Sequence, residues 1–123
     1  MRTLLLVSLG GALGTAARYG VGLAMLRLFG PGLPWGTWAV NAVGCFLIGA
    51  ALPAFAEPEA GRRLLLVVGF LGGFTTFSTF SADTYTLLVA GRTGWAVANA
   101  VGSVVVGLGA VWLGLTVGRF LSA

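Results

Sequence analysis

Long apolar stretches separated by short turns dominate the pattern of this chain. Each stretch has at least the length of about 20 residues that a helix needs to cross a bilayer. At membrane depth the backbone amides must be satisfied within the protein, so such stretches form helices unless the backbone lines an enclosed cavity. The pattern therefore predicts an all-α integral membrane protein of one domain, residues 1–123, with four transmembrane helices. The predicted spans are residues 3–29, 35–55, 62–89 and 95–121.

Charged residues are too few to cover a soluble surface. They make up 8% of the chain, against about a quarter in a soluble domain. The seven basic residues are all Arg and form no long run, which excludes a phosphate-tracking surface for nucleic acid. Because the chain has no His or Lys and only three acidic residues, nothing is suited to activate a Ser or Thr nucleophile, and we do not expect an enzyme. We expect a multi-pass protein of the inner (plasma) membrane that contacts lipid.

The loop charges give little preference for one orientation in the membrane. In a four-span chain both termini and the middle loop share one side, which here carries four Arg residues together with Glu57 and Glu59. The other side carries Arg27 and Arg92. An Arg excess of four to two is a weak orienting signal, and acidic residues count for little. Such a subunit suits insertion either way round, which is compatible with an antiparallel dimer.

The third stretch carries two adjacent glycines, Gly72 and Gly73, followed by a dense run of hydroxyl side chains. A glycine in a helix interior costs about 1 kcal/mol against alanine, and threonine is a mediocre helix former. We therefore predict a break in the third helix near residues 72–76. The alternative is a continuous helix whose glycines only permit close packing, which is common in membranes.

Small residues recur at a spacing of four, which places them on one face of a helix. In the first span Gly10, Gly14 and Gly22 share a face with Arg18, and Gly114 and Gly118 repeat the spacing in the fourth. Glycine stripes of this kind usually mark close contacts between membrane helices. We expect a tightly packed assembly.

Two polar side chains within the spans require an explanation, because a polar group in a membrane is costly. Arg18 fits two interpretations: its guanidinium snorkels to the interface, or it supplies positive potential at the mouth of an anion path. Asn41 lies in the second span and offers two amide donors. These donors suit either an interhelical hydrogen bond to neighbouring backbone or a contact with a permeating ion.

Aromatic and hydroxyl side chains share the third span. Phe77 and Phe80 are three residues apart, so their rings lie along one helix face, and simple packing is the default interpretation of such a pair. The hydroxyls of Thr76, Thr79 and, in the fourth span, Ser103 would make this face unusually polar. Because an aromatic ring has a positive edge, ring edges and hydroxyl donors together suit a small desolvated anion.

Three longer motifs occur in order along the chain. They are Gly10-Gly11-x-x-Gly14-x-x-x-Arg18-Tyr19, Gly36-Thr37-x-x-Val40-Asn41-x-x-Gly44-x-Phe46-x-x-Gly49 and Gly69-Phe70-x-Gly72-Gly73-x-Thr75-Thr76-Phe77-Ser78-Thr79-Phe80. Together they closely resemble the Fluc/CrcB fluoride channel family. The fourth span matches less well, since the family often has two hydroxyls four residues apart where this chain has Ser103 and Gly107.

The resemblance implies a fluoride-selective channel that passively exports cytoplasmic fluoride. It implies a dual-topology, antiparallel homodimer with two antiparallel pores and a structural Na⁺ (sodium) ion at the dimer centre. Matched residue by residue, the backbone carbonyls of Gly72 and Thr75 are the sodium ligands, two from each subunit. The predicted fluoride pore consists of Asn41, Phe77, Phe80, Thr76, Thr79 and Ser103, with Arg18 at its vestibule.

A small multidrug-type exporter is the main alternative, because such exporters also have four spans and about this length. They resemble one another in a membrane-embedded Glu in the first helix, and the first span here has no acidic residue. A non-conducting accessory subunit is less favoured, since polar residues occur in three separate spans. Asp83 occupies a position where related channels often carry a carboxylate, and the sequence assigns it no role.

Overall fold

The structure, a computed structural model, describes residues 1–55 and 60–123. The second span ends at Ala54, one residue before its predicted end, and Glu57 and Glu59 of the middle loop lie outside the described residues. Within these ranges, four helical segments are long and apolar enough to cross a membrane, which confirms the predicted all-α membrane fold. The helices are α1, Arg2–Phe29; α2, Trp35–Ala54; α3, residues 61–74; α4, Phe77–Val89; and α5, Thr93–Ser122. Helices α3 and α4 together form the third span.

The turn between α4 and α5 is closed by backbone hydrogen bonds. Gly91 adopts a φ of 72°, and its N–H donates to the Leu88 carbonyl at 3.0 Å, while the Arg92 N–H donates to the Leu87 carbonyl at 2.9 Å. This pair of bonds is the Schellman motif, which satisfies the last carbonyls of a helix and needs a residue tolerant of positive φ. The Arg92 guanidinium also donates to the Gly32 carbonyl and so ties this turn to the loop between α1 and α2.

Helix α3 is not a regular α-helix. Its first turn, Gly61–Arg63, and its last turn, Gly72–Phe74, are α-helical, but the intervening Leu64–Leu71 is π-helical. Such wide turns are rare and are often found near functional sites. Nothing in the hydrophobic pattern predicted this segment. It leads directly into the break of the third span.

Helix α1 packs against α3 with almost no space between the two backbones. A Cβ added at Gly14 would lie 2.1 Å from the Phe70 carbonyl oxygen, and one at Gly10 would also collide with the α3 backbone. From the other side, a Cβ at Gly73 would lie 2.5 Å from the Gly11 carbonyl oxygen. The prediction that the glycine stripe of the first span marks a helix contact is therefore confirmed for Gly10 and Gly14.

Helices α2 and α5 form a second close pair. A Cβ at Gly114 would lie 2.1 Å from the Phe46 carbonyl oxygen, and one at Gly118 would lie 2.4 Å from the Ala50 carbonyl oxygen. The glycine spacing in the fourth span therefore also marks a helix contact, as predicted. The two pairs, α1 with α3 and α2 with α5, are joined by contacts of α1 with α2 and of α4 with α5.

Candidate functional site

The third span breaks at two residues. Thr75 (φ −86°, ψ 161°) and Thr76 (φ −154°, ψ 119°) are extended, whereas Gly72 and Gly73 remain helical. The predicted break is confirmed, and the alternative of a continuous helix is wrong. The break lies after the paired glycines, however, so their low helix propensity is not its immediate cause. Gly73 instead permits the close approach of α1 described above.

The side chain of Asn41 in α2 holds the break open. Its Oδ1 accepts the Thr76 N–H at 2.8 Å, and its Nδ2 donates to the Thr76 carbonyl at 3.0 Å. The Thr76 hydroxyl in turn accepts the Thr79 N–H at 3.2 Å, as the N-cap of α4. Because extended backbone in a membrane must be satisfied within the protein, these three bonds allow the helix to be interrupted here.

The interpretation of Asn41 as a partner of neighbouring backbone is thus borne out. Its Nδ2 carries a second N–H, which donates no hydrogen bond to any part of the chain that the structure describes. The amide therefore retains one donor, and the predicted contact with an ion stays a prediction.

The carbonyl groups of Gly72 and Thr75 are among those at the break that lose their helical hydrogen bonds. In an α-helix the Gly72 carbonyl would accept the Thr76 N–H and the Thr75 carbonyl would accept the Thr79 N–H. Here the first N–H is diverted to Asn41 and the second to the Thr76 hydroxyl. Both carbonyls are the ones matched above to sodium ligands. These two carbonyl oxygens are available to a ligand because side chains accept the N–H groups that would otherwise bond to them, and not because of the paired glycines.

A cavity of about 410 Å³ opens beside the break. Phe77 and Phe80 border it, with ring centroids 5.5 Å apart and planes tilted by 43°, and the Phe77 ring is 79% exposed. The lining gathers most of the predicted site from α2, the third span and α5. The predicted site residues in its wall are Asn41, Gly72, Thr75, Thr76, Phe77, Phe80 and Ser103.

A second cavity, of about 510 Å³, lies on the other side of Thr76, which lines both. Arg18 and Thr79 border this space, and Arg18 is half-buried there. Asp83 also lines it, and its carboxylate accepts a hydrogen bond from the Thr37 hydroxyl at 2.7 Å. The structure thus separates the predicted vestibule residue Arg18 from the aromatic pair and gives Asp83 a partner that the sequence did not indicate.

A third cavity, of about 300 Å³, shares Asn41, Cys45 and Ser103 with the first. Neither of these two cavities has an acidic residue in its wall. In the described ranges no group of three or more His, Cys, Asp or Glu could hold a metal, so a cation at the break would depend on carbonyl oxygens. The walls offer uncharged donors, aromatic rings and backbone carbonyls.

Sequence reasoning assigned no role to one buried polar residue, Asn99 of α5. Its side chain has an exposure of 0%, and it bonds to Trp38 of α2, to Thr84 of α4 and to Ser103 of its own helix. An asparagine one helical turn before a predicted pore hydroxyl was the available signal. It was weak because nothing in the sequence shows which face of α5 is buried.

In the described residues, four apolar spans, the third of them broken, with polar side chains in the cavities at the break, define a multi-pass membrane protein. A family model described as CrcB-like protein, Camphor Resistance (CrcB), matches residues 5–115. The chain belongs to this family. It is accordingly a membrane protein rather than an enzyme, and in bacteria its location is the plasma membrane.

Its relatives extend over the whole chain. A protein of Allorhizobium ampelinum named "Fluoride-specific ion channel FluC" is 47% identical over 124 residues, which cover 98% of this chain and 99% of the relative. Proteins of the same name from Rhizobium etli strain CIAT 652 and Paracoccus denitrificans are each 51% identical. The first covers 95% of this chain and 96% of its own length, and the second 98% of both.

Proposed function

We propose that this protein is a fluoride-selective ion channel that lets cytoplasmic fluoride leave the cell passively. The observation that carries the proposal is the break at Thr75 and Thr76, which lies between a cavity bordered by Arg18 and one bordered by two phenyl rings. The names of the relatives supply the ion. Beyond the vestibule the cavities have no carboxylate in their walls, and uncharged donors beside phenyl rings are an arrangement that suits an anion.

In this proposal the anion enters at the vestibule, where Arg18 supplies positive potential and Thr79 a hydroxyl. It then passes Thr76 and meets the edges of Phe77 and Phe80, which carry the positive part of the ring quadrupole. The positive end of the α4 dipole lies at the same place. These groups replace water around a small ion, and selectivity in channels depends on such close replacement of the hydration shell.

Two further donors complete the path on the far side of the rings. The second N–H of the Asn41 amide and the hydroxyl of Ser103 both border the cavity beside Phe80. Gly107 stands where the family often has another hydroxyl, and the cavity beside it has space for water. Conduction would therefore rely on fewer protein hydroxyls in this half of the path than in many relatives.

The proposed active form is an antiparallel homodimer with two pores. The support is the exposure of residues on both sides of the break: Gly72, Phe77 and Thr79 are exposed in one subunit. Irregular backbone and hydroxyl groups are not stable against lipid at this depth, so a second copy covering this face would remove the conflict. The weak Arg bias of the loops is compatible with insertion of the two copies in opposite directions.

A structural Na⁺ at the dimer centre would use the carbonyl oxygens of Gly72 and Thr75. Both have lost their helical donors, and a hard cation prefers oxygen ligands. The end of α3 adds the negative end of a helix dipole. Two carbonyls from each of two subunits related by a two-fold axis would give four ligands. When bound, the ion would supply positive charge that holds the two breaks together.

The alternative of a small multidrug-type exporter is not favoured. Proton-coupled export of that kind uses an acidic residue in the first span, and α1 contains none. The only carboxylate within the described spans, that of Asp83, is bonded to Thr37 at the vestibule.

The decisive experiment is ion efflux from liposomes that contain the purified protein. We expect a fluoride electrode to record rapid loss of a fluoride gradient, and a chloride electrode to record hardly any loss of a matched chloride gradient. Liposomes without protein are the control for leakage. Equal fluoride and chloride fluxes would refute selectivity, and no fluoride flux from correctly assembled protein would refute the function.

The dimer and its ion are tested separately. Cysteine introduced at Ala123 in a Cys45→Ala background should be labelled by a membrane-impermeant thiol reagent from both sides of the membrane; labelling from one side only would refute dual topology.

The melting temperature of the purified dimer should be higher in Na⁺ than in N-methyl-D-glucamine at equal ionic strength, because a ligand of the folded state stabilises it. Equal melting temperatures would refute the structural ion.

A further inference from the structure

The buried amide of Asn99 has all of its hydrogen-bonding groups engaged. Its Nδ2 donates to the Thr84 hydroxyl at 2.8 Å and lies 3.5 Å from the Phe80 carbonyl. Its Oδ1 accepts twice, from the Trp38 indole N–H and from the Ser103 hydroxyl at 3.3 Å. One side chain thus connects α2, α4 and α5 directly behind the predicted pore.

The bond to Ser103 conflicts with the proposed role of that serine. A serine hydroxyl has a single hydrogen to donate, and here that hydrogen is directed at Asn99. An anion can only accept hydrogen bonds, so Ser103 serves it only after its hydroxyl has turned away from Asn99. The 3.3 Å between the Ser103 Oγ and the Asn99 Oδ1 is longer than a usual O–H hydrogen bond. The bond is therefore weak, and breaking it costs the rotation little.

The Trp38 indole determines what the rotation costs. The Asn99 oxygen is fully buried, and a buried acceptor without a partner is expensive. Because the indole N–H is a donor only, it stays on the Asn99 oxygen when the serine hydroxyl leaves. With Trp38 in place, the hydroxyl is therefore free to exchange between the amide and the ion.

We propose that Asn99 and Trp38 are positioning residues for fluoride conduction, which hold the Ser103 hydroxyl in a resting orientation and release it to the permeating anion. This inference rests on the proposed fluoride conduction and deepens it. It assigns a role to two residues whose connection becomes visible only in the folded chain, since 61 positions separate them.

The test is a double-mutant cycle on fluoride efflux. Trp38→Phe removes the indole N–H, so that release of Ser103 would leave the Asn99 oxygen without a partner. We expect a fall in flux of about ten- to 100-fold, from the cost of a buried unpaired acceptor. In a Ser103→Ala background nothing remains to be released, and Trp38→Phe should cause no further loss. A merely structural role would give the same loss in both backgrounds.

Two comparisons complete the design. Trp112→Phe is the matched control, since Trp112 is 69% exposed, and it should leave the flux unchanged. Where Trp38→Phe does not assemble, benzothienylalanine at position 38 keeps the ring volume and removes only the N–H. Thr84→Val acts on the other end of the Asn99 amide, and its effect should not depend on Ser103.

The outcomes separate the two proposals. This inference alone is overturned if the wild type conducts fluoride but positions 38 and 103 show no coupling. It is also overturned if Thr84→Val shows the same coupling to position 103. Absence of fluoride flux in the assembled wild type overturns the proposed function and this inference with it. Coupling specific to Trp38 and Ser103 supports both.

Discussion

Replacing Asn41 with Asp changes one atom group at the break and should abolish most of the fluoride flux. The aspartate keeps an oxygen that can accept the Thr76 N–H, as the Asn41 Oδ1 does at 2.8 Å in the wild type. It loses the amide nitrogen that donates to the Thr76 carbonyl at 3.0 Å. Where that nitrogen was, a carboxylate oxygen faces the Thr76 carbonyl oxygen, and neither can donate a hydrogen. The carboxylate also places a negative charge in the wall of the cavity beside Phe77.

Two terms set the size of the effect. An unpaired buried carbonyl costs about 1–3 kcal/mol, which falls on the stability of the break. The introduced carboxylate, at about 5 Å from a fluoride ion and with an effective dielectric constant of about 20, raises the energy of the ion in the pore by about 3 kcal/mol. The second term acts on conduction alone and corresponds to a reduction of about 100-fold in rate.

The assay compares Asn41→Asp with Asn41→Leu in fluoride efflux and in thermal melting of the purified dimer. The leucine variant loses both bonds to Thr76 but adds no charge, so we expect it to melt at the lower temperature. The aspartate variant should conduct no better than the leucine variant despite its higher melting temperature. If the aspartate variant instead conducts better than the leucine variant, as its higher melting temperature alone would suggest, the loss of flux is structural and the electrostatic argument is refuted. Wild-type flux in Asn41→Asp would remove Asn41 from the path.

Three other changes test the site and the packing. Phe80→Ile keeps an apolar side chain but removes the positive ring edge, so fluoride efflux should fall severely; efflux at the wild-type rate would show that the ring does not serve the ion. Gly14→Ala forces a Cβ to within 2.1 Å of the Phe70 carbonyl oxygen and should destabilise the protein by about 1–3 kcal/mol. Gly20→Ala, with no atom within 4 Å, is its control in thermal melting, and equal melting of the two variants would contradict the packing. Thr76→Val removes the N-cap of α4 and should cost about 1 kcal/mol; an unchanged melting temperature would show that the cap contributes nothing.

Some of the site was predictable because it follows from short-range properties. Paired glycines followed by threonines have low helix propensity, and this predicted the break within a few residues. The exact position of the interruption depends on Asn41, which lies 35 residues away from Thr76 in the chain. Two of the polar contacts at the site, Trp38 with Asn99 and Thr37 with Asp83, span 61 and 46 residues. Such pairs depend on how each helix is rotated about its axis, which periodicity in a nearly uniformly apolar span does not reveal.

The sequence by itself determined that the chain lies in a membrane as four helices, because so few charges and such long apolar stretches leave no other stable arrangement. It also determined where helices approach closely, since only glycine lets two backbones come so near. The tertiary structure alone decided which polar groups meet. Asn41 reached Thr76, Asn99 reached Trp38, and α3 widened into a π-helix, because each outcome depends on packing between helices that are distant in the chain.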